Sequence, residues 1–180
     1  MIYRSHTSKI SISRAFIVCF IFFTTHSMAG FSYYDSGLVS YAQANYKAAI
    51  ENFYVAAKNN EPGAAHMLMR MHAEGRGTDV DKNKAFRWTL VAAQEGMAVA
   101  QYRAGKIYLE RAGVANSQQQ ALHWFKKAVK QGHVGAHFEL AEMYQNGLGV
   151  ATNTQKARQL YLYAASELDV FAQQGDANSQ

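Results

Sequence analysis

Laid against itself at an offset of 36, this chain of 180 residues comes into register three times. Ala64, Ala100 and Ala136 align, as do Gly77, Gly113 and Gly149, Ala85, Ala121 and Ala157, and Ala92, Ala128 and Ala164. Other columns keep their residue type: Met71, Ile107 and Met143; Tyr108 and Tyr144; Trp88 and Trp124; Gly96 and Gly132. A period of this length belongs to a stacked supersecondary unit that cannot bury its apolar face alone and leans on copies of itself.

The spacing within a unit is helical. Ala100, Ala104, Ile107 and Tyr108 stand at i, i+4, i+7 and i+8 on one side of a first helix, and Ala121, Trp124 and Ala128 stand at i, i+3 and i+7 on a second. Alanine recurs because a methyl group lets two helices approach to about 8 Å, and the tryptophan fills the space beside it. Hydrophobic residues at 49% supply an interior, and charged residues at 17% are too few for a self-repelling disordered chain. The single proline, Pro62, excludes collagen-like and polyproline architectures, so the expected fold is all-α.

Between the two helices of a unit lies a glycine-rich turn, Gly75-Arg76-Gly77 in one copy and Gly147-Leu148-Gly149 in another, followed by Asp, Asn or Ser before the next helix. Glycine supplies the left-handed stop and the polar residue caps the next start. A phosphate-cradling loop would need a preceding strand, which the pattern lacks.

The segment from Ala100 to Gly135, AQYRAGKIYLERAGVANSQQQALHWFKKAVKQGHVG, resembles the Sel1-like repeat, a relative of the tetratricopeptide repeat with a longer turn. The units beginning at Ala64 and Ala136 resemble it too, so the likeness covers about 108 residues. Upstream, Gly37, Tyr41, Tyr46, Ala49, Phe53 and Ala56 resemble an ordinary tetratricopeptide unit, with Ala44-Asn45 joining its helices directly. The division that follows is 30–63, 64–99, 100–135 and 136–180. The resemblance implies a right-handed α/α superhelix, a solenoid of helix-turn-helix repeats with about eight helices. It also implies a non-catalytic protein-binding adaptor, as in envelope assembly, flagellar motors, host interaction or membrane-protein quality control. Two departures stand out. Arg111 replaces the glycine of Gly75 and Gly147, where a left-handed conformation would cost it about 1 kcal/mol or more, so that turn should be reshaped. In the last unit Leu160 replaces the tryptophan, and Leu168 stands where Gly96 and Gly132 end the helix, with Gly175 arriving seven residues later. Seven residues are about two helical turns, so the final helix should lengthen, keep its buried face and cap the stack.

Residues 1–29 read as an address. A basic, polar start precedes the apolar run Ala15–Phe23, and Ser27 and Ala29 place small residues at positions −3 and −1 of a cleavage site. The apolar run would reach only about 14 Å as a helix, under half of the roughly 30 Å hydrocarbon core. A removed signal peptide, export to the periplasm or beyond, and no membrane span in the mature chain are therefore expected. Cys19, the only cysteine, lies within that run, so the mature chain should hold no thiol, disulfide or cysteine-bound metal. The net charge of +5 owes three cations, Arg4, Lys9 and Arg14, to the same segment and leaves +2 for the remainder. Lys126, Lys127 and Lys130 read as a solvated helix face, and nucleic acid is not an expected partner.

Chemistry is sparse. No serine after residue 29 sits in a Gly-x-Ser-x-Gly or Ser-x-x-Lys setting, so acyl transfer has no visible nucleophile and no enzymatic activity is expected. His133 and His137 are four apart but lack the glutamate of a metalloprotease motif, and Gly135 between them makes a continuous helix doubtful; they read as a loop and a helix-start histidine. The run His66–His72 holds soft ligands suited to copper, yet His66, Met69 and His72 fall on one flank of a helix while Met67 and Met71 point to the other. No cofactor or metal is expected, and a copper-handling protein or a modulator of a cell-wall enzyme remain the alternatives. The repeat register offers a better site. If the first helices line the inner surface, Tyr34, His66, Tyr102 and Phe138 form an aromatic ladder, and Leu38, Arg70, Lys106 and Glu142 form a second, with Glu74 and Glu110 one turn further along. Aromatic rungs beside charged ones suit a partner protein or peptide. Packing explains the aromatic rungs as well, but not Arg70 and Lys106.

Overall fold

The structure, a computed structural model, describes residues 31–110 and 116–177, with side chains to Val170. The expected signal peptide with Cys19, the turn at Arg111 and the end of the tail lie outside the described residues. Among the described residues there are eight helices and no strand: α1 (Tyr33–Ala42), α2 (Tyr46–Lys58), α3 (Ala64–Glu74), α4 (Lys82–Gln94), α5 (Ala98–Glu110), α6 (Ser117–Val129), α7 (Val134–Asn146) and α8 (Thr154–Ala177). Each helix packs chiefly on its chain neighbours, which makes the molecule an α/α solenoid of helical hairpins.

The alanine columns form the core. Ala49, Ala64, Ala92, Ala100, Ala121, Ala128, Ala136 and Ala164 are buried, and three apolar clusters follow one another along the stack. Trp88 joins two of these clusters, and Trp124 of α6 shares the middle one with Ala92 and Ala93 of α4 and Ala100 and Ala104 of α5. The largest fully buried side chains are Phe53 and Phe125. Each lies against a glycine of its unit's first helix: a Cβ on Gly37 would come within 2.6 Å of the Phe53 ring, and one on Gly105 within 2.5 Å of Phe125. Ile107, aligned with the buried Met71 and Met143, is only half-buried, because the edge of α5 that carries it borders an open cavity.

The turns work as the glycines require, with one addition. Gly75 and Gly147 end α3 and α7 in the left-handed region at φ of 70°. Gly77 and Gly149 are also left-handed, and each lies against the start of the preceding unit's second helix, where an added Cβ would run into the Tyr46 backbone at Gly77 and come within 2.8 Å of Gln118 at Gly149. Each long turn then folds back, as the Asp81 N–H donates to the His72 carbonyl and the Asn153 N–H to that of Tyr144. The side chains of Asp81 and Asn153 cap α4 and α8, whereas Asn116, which precedes α6, makes no capping bond. Arg76 fastens one turn to the first hairpin, donating to the Tyr41 hydroxyl at 2.6 Å and lying over the Tyr41 and Tyr46 rings. The first unit keeps the short connection, with Ala44 at φ of 58° and Asn45 capping α2. The last helix is the longest, at 24 residues, and buries Ala157 and Ala164. Its other side departs from a polar cap: Leu162, Tyr163, Leu168 and Val170 are exposed.

Candidate functional site

Two first helices, α3 and α5, stand on either side of α4, and a cavity of about 440 Å³ opens where the three meet. Met69 of α3, Ala85, Phe86 and Thr89 of α4, and Ile107 of α5 form its apolar wall. Lys82, Arg103, Lys106 and Glu110 also line it. Phe86 is held edge-on by Tyr108 with ring centres 5.4 Å apart. Thr89, 2% exposed, turns its hydroxyl back to donate to the Ala85 carbonyl at 2.9 Å, so a polar atom at the cavity wall is already satisfied.

The charges at this cavity differ in how far they are committed. Lys106 donates to Glu139 of α7 at 2.7 Å, and that carboxylate raises the lysine above its ordinary pKa. Arg103 lies 3.7 Å from the Met69 sulfur and, like Lys82, has no carboxylate partner among the described residues. Arg70, further along α3, pairs with Glu74 at 3.5 Å, and Glu74 also accepts from Arg76 at 2.6 Å. Burial lowers the pKa of His66, and Arg103 and Arg70 lower it further.

The ladders expected from the register are distributed unevenly. Lys106 and Glu110 line the cavity. Tyr34 packs on Phe53 with ring centres 5.7 Å apart, and its backbone N–H donates to Glu61. Tyr102 is sandwiched inward, stacked on His133 at 4.5 Å and tilted against Phe125 at 6.0 Å. Phe138 meets Tyr161 of α8 at 5.9 Å. Leu38, Glu74 and Glu142 are exposed and His66 is half-buried. Register alone missed Met69, Phe86, Thr89, Arg103 and Ile107. It compares the same position on successive helices, whereas a cavity between neighbours takes the trailing edge of one and the leading edge of the next.

The histidines have structural surroundings. His72 is buried and shares a 2.7 Å hydrogen bond with the Tyr54 hydroxyl of α2. α7 begins at Val134, one residue before Gly135, so His133 lies outside the helix and His137 near its start, the loop and helix-start positions expected of them. His133 is the N-cap of α7, accepting from the Ala136 N–H, and His137 is buried and stacks on Tyr163 at 4.3 Å.

The Sel1 repeat family model matches residues 26–61, 63–97, 98–133 and 134–167. The chain belongs to the Sel1 repeat family. The model therefore also covers the first hairpin, the unit with the short connection. Among solved structures, the chain is similar to a Sel1 repeat protein from Oxalobacter formigenes, with 27% identity and a TM-score of 0.62 over 73% of this chain and 54% of the other. It is also similar to a protective antigen of uropathogenic Escherichia coli strains that displays an SLR fold, with 28% identity and a TM-score of 0.65 over 75% of this chain and 30% of that one. The chain thus spans about half of the first and under a third of the second. A search of curated proteins gives no match. Sel1 repeats generally form scaffolds on which proteins assemble, and no described helix is long and apolar enough to cross a membrane.

Proposed function

We propose that this Sel1 repeat protein is a non-catalytic adaptor of the cell envelope or secretory compartment, which binds a segment of a partner protein along the groove lined by its first helices. The observation that carries this reading is the cavity between α3 and α5, apolar within and bordered by Arg103 and Lys82, which have no carboxylate partner among the described residues. Packed helical hairpins leave few such openings, because interiors fill to near crystal density. The leader-like segment 1–29 supports the assignment to the envelope.

The experiment is site-specific photocrosslinking in the native host, with the reactive residue placed at Arg70 or Glu110 in the groove and at Lys127 on α6 as a control. Groove positions should capture one discrete partner that the control does not, in an envelope or secreted fraction. Equal capture from all three positions would overturn the groove, and recovery of the chain from the cytoplasm alone would overturn the location.

A further inference from the structure

The cavity has an origin in the repeat register. At the 36-residue offset Phe53, Thr89, Phe125 and Tyr161 occupy one column, so the second unit alone lacks a ring there. In the first and third units the phenylalanine is fully buried against a first-helix glycine, Gly37 or Gly105. In the second, Met69 takes the glycine's place and Thr89 the ring's, and both line the opening. A methionine and a threonine do not reproduce the shape of a ring seated on a glycine, and the hydroxyl of Thr89 is spent on its own helix. What remains is a concave space, lined by Met69, Phe86 and Ile107, in a column built for an aromatic side chain.

We propose that this cavity receives an aromatic side chain of the partner, carried on a peptide with acidic residues on either side. The cations decide the flanking chemistry. Among the described residues Arg103 and Lys82 lack carboxylate partners, Lys106 is neutralised by Glu139, and Glu110 is the one acidic residue lining the cavity, so the described edge carries an uncompensated positive charge. A carboxylate beside a seated ring gains a charge-assisted bond from Arg103, with Lys82 opposite as a second point charge. This inference rests on the adaptor reading above and specifies what the adaptor recognises.

The test is a nuclear magnetic resonance titration of the full chain with three blocked tripeptides, Glu-Phe-Glu, Gln-Phe-Gln and Glu-Ala-Glu. Glu-Phe-Glu should shift the methyl signals of Met69, Thr89 and Ile107 saturably, Gln-Phe-Gln should bind about tenfold more weakly, as expected for loss of one charge-assisted contact, and Glu-Ala-Glu should not saturate. The double variant Met69→Gly/Thr89→Phe restores the pair found at Gly37/Phe53 and Gly105/Phe125; it should keep its helicity and lose the peptide. Arg103→Glu, an exposed substitution that leaves the core untouched, should weaken Glu-Phe-Glu and spare Gln-Phe-Gln. Equal binding of Glu-Ala-Glu, binding that survives the refilled cavity, or no effect of Arg103→Glu would each overturn the proposal. The photocrosslinked partner separates the two claims: if a folded double variant still captures it, the adaptor reading stands and the aromatic pocket falls.

Discussion

Gly77 and Gly96 are both left-handed glycines, at φ of 75° and 96°, yet their neighbourhoods differ. A Cβ on Gly77 would run into the Tyr46 backbone, which begins a helix and cannot move alone, while one on Gly96 would meet nothing within 4 Å. Gly77→Ala should therefore cost about 2–3 kcal/mol, combining backbone strain with displacement of α2, and Gly96→Ala about 1 kcal/mol from strain alone. Urea unfolding of the two variants checks this, and equal losses would show that the turn does not press on the preceding unit. Lys106 and Glu139 give a different kind of case. Their 2.7 Å bond ties α5 to α7, but the lysine side chain is 42% exposed. A double-mutant cycle through Lys106→Met and Glu139→Gln should return a coupling of about 1 kcal/mol or less. The pair sets where Lys106 points more than it holds the repeats together.

Helix ends show how a repeated pattern is honoured in one unit and relaxed in another. Asn153 caps α8 through the Lys156 N–H at 2.9 Å, so Asn153→Ala should lower stability by about 1 kcal/mol in a thermal melt. Asp81 does the same for α4, and the bond it accepts from the Lys84 N–H holds its carboxyl below the usual value. Its contribution is present above the unfolded carboxyl pKa and fades as pH falls through the lower folded one. The helices themselves were legible in the sequence, because the alanines at Ala100, Ala104, Ala121 and Ala128 have one function, close approach, and periodicity reports it directly. The stops at Gly75 and Gly147 were legible for the same reason. The cavity was not, although its signal lay in the chain: the threonine in a column of Phe53, Phe125 and Tyr161 is conspicuous only once the two phenylalanine rings are known to pack on Gly37 and Gly105. Nor did spacing foretell that Lys106 would find Glu139, which depends on the angle between α5 and α7.

Taken as a whole, the solenoid carries three histidines whose pKa values burial pushes down. His66 also faces Arg70 and Arg103; His72 faces Lys84, with Asp81 opposing; His133 faces His137. A lowered histidine resists protonation in the fold but accepts it in the unfolded chain near pH 6.5, so the full stabilisation is present above that value and declines as pH falls toward the folded values. Melting temperatures should drop between pH 7.5 and 5, and His72→Gln should flatten that dependence. A pH-independent melt would mean that these rings are already open to water. The same molecule, among its described residues, has each helix leaning chiefly on the next along the chain. Stretched from its two ends, it has no keystone whose rupture frees everything at once. It should let go like a zip fastener, one hairpin after another, in a sawtooth of similar modest forces.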